Sequence, residues 1–232
     1  MSLPTLILVH GSWHSPEHFQ PLMQNLQSRH GCKCIAVALP STQSPDLPPA
    51  GLGDDTSAIR SAVLDELDSK NNDVVVVAHS YGGCPANNAL DRLSTTSRQK
   101  EGYSTSVLSI VFLSAIPIRA NTTFLFALGG KPHPPHDLSR HPEFAYVNHS
   151  GPEYYFYNTM SPSEAKFWAD KLRPQAWRAY TEPTTYAAYK GIPVWYLKCK
   201  KDQALGYEVQ EAIVRGMEED GAGKVVVDSV GE

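Results

Sequence analysis

Six short apolar runs punctuate the chain: Leu6–Val9, Cys34–Ala38, Val74–Ala78, Val107–Leu113, Val194–Leu197 and Val225–Val227. None alternates apolar with polar positions, the pattern of strands covered on both faces in a parallel sheet. Helical spacings lie between them. Phe19, Leu22, Met23 and Leu26 follow a Ser15-Pro16 start; Ile59, Val63 and Leu67 form a second set; Val209, Ala212, Ile213 and Met217 form a third. Strands alternating with helices predict an α/β fold with right-handed crossovers. One stretch, 121–190, breaks the rhythm with Pro, His and aromatic residues over about 70 positions, too long for a structureless loop. Inside it Ser161-Pro162-Ser163-Glu164 is a capping box with proline at the first helical position, continued by Ala165, Trp168 and Leu172 at helical spacing. The stretch reads as a helical cap over one end of the sheet, inserted in a single domain spanning 1–232. A second loop rich in Pro and Gly, Pro40 to Gly53, is expected near the same rim.

Composition narrows the function classes. The 232 residues are 41% hydrophobic and 19% charged, which is a globular chain with enough length for its own core. A net charge of −4 leaves no basic footprint, so nucleic acid and anionic membrane are not expected partners. No apolar run approaches the roughly 18 residues of a membrane span. Met1 to Pro4 carry no charged leader and run straight into the first apolar run, which reads as a core strand rather than a secretion signal. Four cysteines, Cys32, Cys34, Cys84 and Cys199, lack framework spacing, and Cys32-x-Cys34 is too close for a usual zinc pair. They read as buried free thiols in a reducing, cytoplasmic compartment. The sequons at Asn121 and Asn148 then read as chance. No metal or cofactor is expected, and the expected partner is a small-molecule substrate.

The strongest local signal is Val74-Val75-Val76-Val77-Ala78-His79-Ser80-Tyr81-Gly82-Gly83. A buried strand ends at a small-x-Ser-x-Gly sequence and a helix follows, the setting of a nucleophile elbow. The turn is tight, so Ala78 and Gly82, two before and two after the serine, must be small. It lifts Ser80 to the N-terminus of the next helix, which favours developing negative charge. The second signal is His10-Gly11-Ser12-Trp13-His14, directly after the first strand. Alone it also reads as a glycine turn beside a core histidine. Beside an elbow it supplies an oxyanion hole: Gly11 lets the backbone approach, and the Ser12 and Tyr81 amides are the candidate donors. The third is Asp202, after the Val194–Leu197 run, where a triad acid follows the nucleophile in chain order.

With these motifs the chain resembles compact, cap-bearing α/β-hydrolases of the branch that includes plant methylesterases and hydroxynitrile lyases. It is similar above all to small fungal α/β-hydrolases, many of them encoded in secondary-metabolite clusters. The resemblance covers essentially the whole chain. It rests on 10–14, on HSYGG at 79–83, on Thr184-Thr185-Tyr186-Ala187-Ala188-Tyr189, and on Asp202 with the Glu208-Val209-Gln210 helix. It implies a mostly parallel six-stranded sheet flanked by helices, with a helical cap before the penultimate strand. It also implies serine-esterase chemistry on a small ester, lactone or thioester, with Ser80 as nucleophile and Asp202 as acid. His10, Gly11, His79 and Gly82 would support the elbow. Trp13, His14 and Trp168 would line the substrate pocket, with Tyr154, Tyr155 and Trp177 lining it or forming cap core. Hydroxynitrile lyases of the branch carry Thr where Gly11 stands and a terminal Lys; neither is present here.

One departure is large. The resemblance puts the triad histidine after the last strand, near Val230-Gly231, and a final helix beyond it. All nine histidines lie at or before His149. His14, His133, His136, His141 and His149 read as surface or rim residues, and His79 is expected to point away from the Ser80 hydroxyl. Losing a triad histidine costs on the order of 10⁶ in turnover. Two readings stand: a shortened form of a complete hydrolase, which the stop in a polar turn favours, or a non-hydrolytic cyclase, condensation catalyst or ligand-binding descendant. Either way the last strand and one sheet face are expected to be partly uncovered, open to a second copy of the chain.

Overall fold

The computed structural model describes residues 3–231; Met1, Ser2 and Glu232 lie outside the described residues. In chain order the elements are β1 (Thr5–Val9), α1 (Gln20–His30), β2 (Cys34–Val37), α2 (Leu52–Leu64), β3 (Val74–His79), α3 (Gly83–Ala89), α4 (Thr95–Lys100) and β4 (Val107–Leu113). Then come α5 (Phe124–Ala127), β5 (His136–Asp137), β6 (Phe144–Val147), α6 (Pro152–Phe156), α7 (Pro162–Ala169), β7 (Gln175–Ala176) and α8 (Arg178–Thr181). The chain finishes with β8 (Val194–Cys199), α9 (Tyr207–Glu219) and β9 (Val225–Val230).

All six apolar runs are strands of one sheet, ordered β2-β1-β3-β4-β8-β9, and every neighbouring pair is parallel. β-branched residues dominate because they pack well on a pleated surface. Register lines up Ile7, Val76, Ile110, Val194 and Val225 across five strands, all buried. The opposite face is less covered. Its row of Val77, Val111, Trp195 and Val226 is partly exposed, and Trp195 retains 50% exposure. α1 buries none of its residues fully. The expectation of buried cysteines is met by Cys84 alone; Cys32, Cys34 and Cys199 are half-buried.

The chain runs from β1 outward to β2, then returns to the other side of β1 for β3. That reversal is a topological switch point, where a crevice opens outside the carboxyl ends of the strands. The loop after β1 and the turn after β3 meet there. The 121–190 stretch is more than helical. Short helices alternate with a three-stranded antiparallel sheet, β5-β6-β7, which spacing did not reveal because its strands are two to four residues long. Its β7 also bridges to the Pro40–Gly53 loop, pairing Gln175 with Thr42.

Candidate active site

β3 delivers Ser80 into a turn with φ +52°, a left-handed conformation that costs a residue with a side chain about 1–3 kcal/mol. The surroundings hold it there. Ile116 donates its amide to the Ser80 carbonyl at 3.0 Å. Ala78 is fully buried. A β-carbon on Gly82 would sit 2.5 Å from the His10 carbonyl oxygen. A β-carbon on Gly11 would lie 2.8 Å from Ser80 Cβ and 3.3 Å from its Oγ, so glycine is what lets the loop after β1 close on the serine. Among the described residues Ser80 Oγ has no hydrogen-bond partner, and the amides of Ser12 and Tyr81 have no acceptor.

The loop after β8 brings in Asp202. Its Oδ2 accepts a 2.5 Å bond from Ser114 Oγ, and its Oδ1 accepts from the amides of Ala204 (2.9 Å) and Leu205 (2.8 Å). Ser114, just past β4, adopts φ +40° to make that contact. Ser80, Asp202, Ser12, His10, His79, Trp13, His14 and Trp168 all line one cavity of about 440 Å³. Among the described residues its lining carries no carboxylate apart from Asp202, and no Lys or Arg. Tyr155 joins the lining from the 121–190 stretch, with Phe156 to Met160. Tyr154 is instead 52% exposed, and Trp177 packs on the rings of His136 and Tyr180.

Four histidines line the cavity, and three are locked. His10 Nδ1–H donates to the Gly11 carbonyl (2.9 Å) while Nε2 accepts from the Leu39 amide (3.2 Å). His14 Nδ1–H donates to the Ser12 carbonyl (2.7 Å) and Nε2 accepts from Tyr157 OH (3.2 Å). His18 accepts at Nδ1 from the Ser15 amide (3.1 Å) and donates from Nε2 to the Trp168 carbonyl (3.3 Å). Each tautomer is fixed and neutral. Burial pushes His10 down to about 4, and lowers His14 and His18 as well. His79 has no hydrogen bond to its ring among the described residues. Burial lowers its pKa, and the Asp202 charge pulls the other way. No histidine hydrogen-bonds Ser80 or Asp202 among the described residues.

The rim reading for the remaining histidines needs one correction. His136 is enclosed by the rings of Trp13, Trp177 and Tyr180 at 4.8–5.8 Å, and burial lowers it to about 4. Its Nδ1–H donates to the His133 carbonyl (3.1 Å), which leaves a buried Nε2 without a partner. Two residues around the elbow gave no sequence signal. Asp55, fully buried in α2, accepts from Tyr81 OH (2.7 Å), Ser41 Oγ (2.5 Å) and the Ser41 amide (2.9 Å). Tyr180, fully buried in α8, donates its hydroxyl to Ser12 Oγ (2.5 Å). An acid in a helix's first turn reads as a cap residue, and a tyrosine 168 positions from its partner has no local signature. Among the described residues, no group of three or more His, Cys, Asp or Glu side chains could hold a metal ion.

Comparison with known proteins agrees with the fold. A probable hydrolase of Phoma sp. is 30% identical over 223 residues, covering 92% of this chain and 84% of the relative. An α/β hydrolase of Aspergillus novofumigatus is 28% identical over 214 residues, covering 90% and 82%. Among solved structures, polyneuridine aldehyde esterase superposes with a TM-score of 0.70 at 18% identity, covering 98% of this chain and 91% of that one. An extracellular α/β-hydrolase from a Paenibacillus species superposes at 0.73 and 16% identity, covering 98% and 90%. At such identities the structural likeness concerns the fold. The model of the alpha/beta hydrolase family matches residues 6–231, nearly the whole chain, and the protein therefore belongs to that family.

Proposed function

We propose that the chain is a serine-type hydrolase of a small, uncharged ester, lactone or thioester. The observation that carries this reading is Ser80 held at positive φ against Gly11, opening with Asp202 into one apolar cavity. Ser80 Oγ attacks the substrate carbonyl carbon, and the Ser12 and Tyr81 amides receive the oxygen as it becomes an oxyanion. The alcohol or thiol leaves with a proton, and water then cleaves the acyl–Ser80 ester. Asp202 would orient a histidine that takes the serine proton and would steady its positive form. None of the nine histidines of the sequence hydrogen-bonds Ser80 or Asp202 among the described residues, so the base for this step is not among them. The absence of Lys and Arg from the cavity lining favours a neutral substrate, because a carboxylate would find no counter-charge there. Cys32, Cys34 and Cys84 form no disulfide among the described residues, which supports a reducing, cytoplasmic setting.

A fluorophosphonate probe tests the reading. The expected result, in a folded form that carries a triad histidine, is a covalent adduct mapped to Ser80 and lost in Ser80→Ala. A folded protein that binds neutral esters yet never labels would overturn it. That outcome would favour the second reading, which the lone Ser80 hydroxyl supports: a non-hydrolytic cyclase, condensation catalyst or ligand-binding protein whose oxyanion amides hold an enolate. On that reading Ser80→Ala leaves ligand binding intact.

A further inference from the structure

Both candidate oxyanion donors are tethered through their own side chains. Ser12 Oγ accepts from Tyr180 OH at 2.5 Å, and Tyr81 OH donates to Asp55 Oδ2 at 2.7 Å. The tethers are themselves joined. The Tyr81 and Tyr180 rings meet edge to face at 5.3 Å, and Phe124 packs against both, at 5.1 and 4.9 Å. Asp55 also accepts from Ser41 Oγ, which accepts in turn from Gln175 Nε2 at 2.7 Å, while Gln175 Oε1 accepts from Thr42 Oγ1 at 2.9 Å. Asp55, Tyr81, Tyr180, Ser41 and Gln175 are fully buried, and Ser12 and Thr42 nearly so. Water therefore cannot replace a lost partner cheaply.

We propose that Tyr180 and Asp55 are positioning residues that aim the Ser12 and Tyr81 amides at the reacting carbonyl. The inference rests on the hydrolase reading of the site. An amide can stabilise an oxyanion only where its N–H already points at the place the oxygen will occupy. Ser12 lies in a loop, and Tyr81 in a single 3-10 turn, Ser80–Gly82, that starts from a strained residue, so neither amide is held by a ladder or intrahelical hydrogen bond of its own. The tyrosine hydroxyl and the carboxylate supply that constraint. Gln175 and Tyr180 both come from the 121–190 stretch, which also supplies Tyr155 and Trp168 to the cavity wall. The segment that shapes the substrate site therefore also aligns the catalytic amides.

The test reads the carbonyl directly. The chain is loaded with ¹³C-carbonyl 4-phenylbutan-2-one, an uncharged ketone, and the bound C=O stretch is taken by isotope-edited infrared spectroscopy. In the unaltered protein the stretch is expected to shift down relative to the ketone in water. Tyr180→Phe and Ser12→Ala are each expected to remove part of that shift. The double variant is expected to lose no more than either single change, because both delete one interaction. Tyr81→Phe is expected to lose the part that depends on Asp55. In esterase assays the same variants should lower kcat about 10–100-fold with little change in KM, the pattern of a misplaced transition-state contact. If Tyr180→Phe does not fold, Ser12→Ala removes the same hydrogen bond from its other side. A downshift that persists in folded Tyr180→Phe or Ser12→Ala, or losses that add in the double variant, would overturn the positioning role alone. A ketone that does not bind, or binds with no downshift in the unaltered protein, would overturn the hydrolase reading of the site and this inference with it.

Discussion

Single buried imidazoles and one buried carboxylate pull the pH dependence of stability in opposite directions. His10 and His136 are held near 4 by burial, against about 6.5 in an unfolded chain. Between those values the unfolded chain binds protons that the folded one refuses, so stability rises with pH across the window and is lost in acid. Asp55 is raised by burial to about 6, so between about 3.8 and 6 the folded chain holds a proton the unfolded chain releases, and its contribution falls as pH rises. Each shift is of the order of 3 kcal/mol. Four more histidines, His14, His18, His79 and His133, are lowered in the same sense as His10. The histidines therefore prevail, and urea melts should show lower stability at pH 4.5 than at pH 7. His136→Phe should narrow that difference, because the ring's buried Nε2 has no partner to lose. An unchanged difference would mean that His136 titrates freely in the folded protein.

At the level of elements, the parts legible in the sequence are those whose cause is local or periodic. The strands of the large sheet announced themselves through unbroken apolar runs, because burial on both faces leaves no polar positions. The elbow was legible because a strained serine needs small neighbours on either side of it. Ser161 caps α7 as its motif implies, accepting from the Glu164 amide while its hydroxyl donates to that residue's carboxylate at 2.7 Å. Ser161→Ala should lower stability by about 1 kcal/mol in chemical denaturation. A cost near zero would mean that α7 is held by packing alone. The α2 spacing through Leu67 needed one adjustment. The α-helix stops at Leu64, and a wider π turn over Asp65–Ser69 keeps Leu67 buried. What sequence could not give was pairing at long range. Gln175 meets Thr42 across 133 positions, and neither run is long enough to show a period.

Across the whole molecule, one sheet face is closed and the other opens toward β8 and β9. Trp195 is 50% exposed and Val230 38%, and the outer edge of β9 has no strand partner among the described residues. An apolar surface beside an open edge is a template for pairing. Sedimentation velocity should show concentration-dependent self-association, reduced by Trp195→Glu; a monomer at every concentration would count against a second copy docking there. The inner side of the molecule carries a different consequence. Trp13 is gripped from two directions by the long insertion: its indole N–H donates to the Ala145 carbonyl at 3.0 Å, and its own carbonyl accepts the Arg173 amide at 2.8 Å. Trp13 follows Ser12 directly, so on the proposed hydrolase reading exchanging this insertion for a homologue's to graft a new selectivity would also retune the loop that offers the Ser12 amide. Chimeras built this way should change preference and speed together, and recovering rate would require compensating changes in the loop after β1.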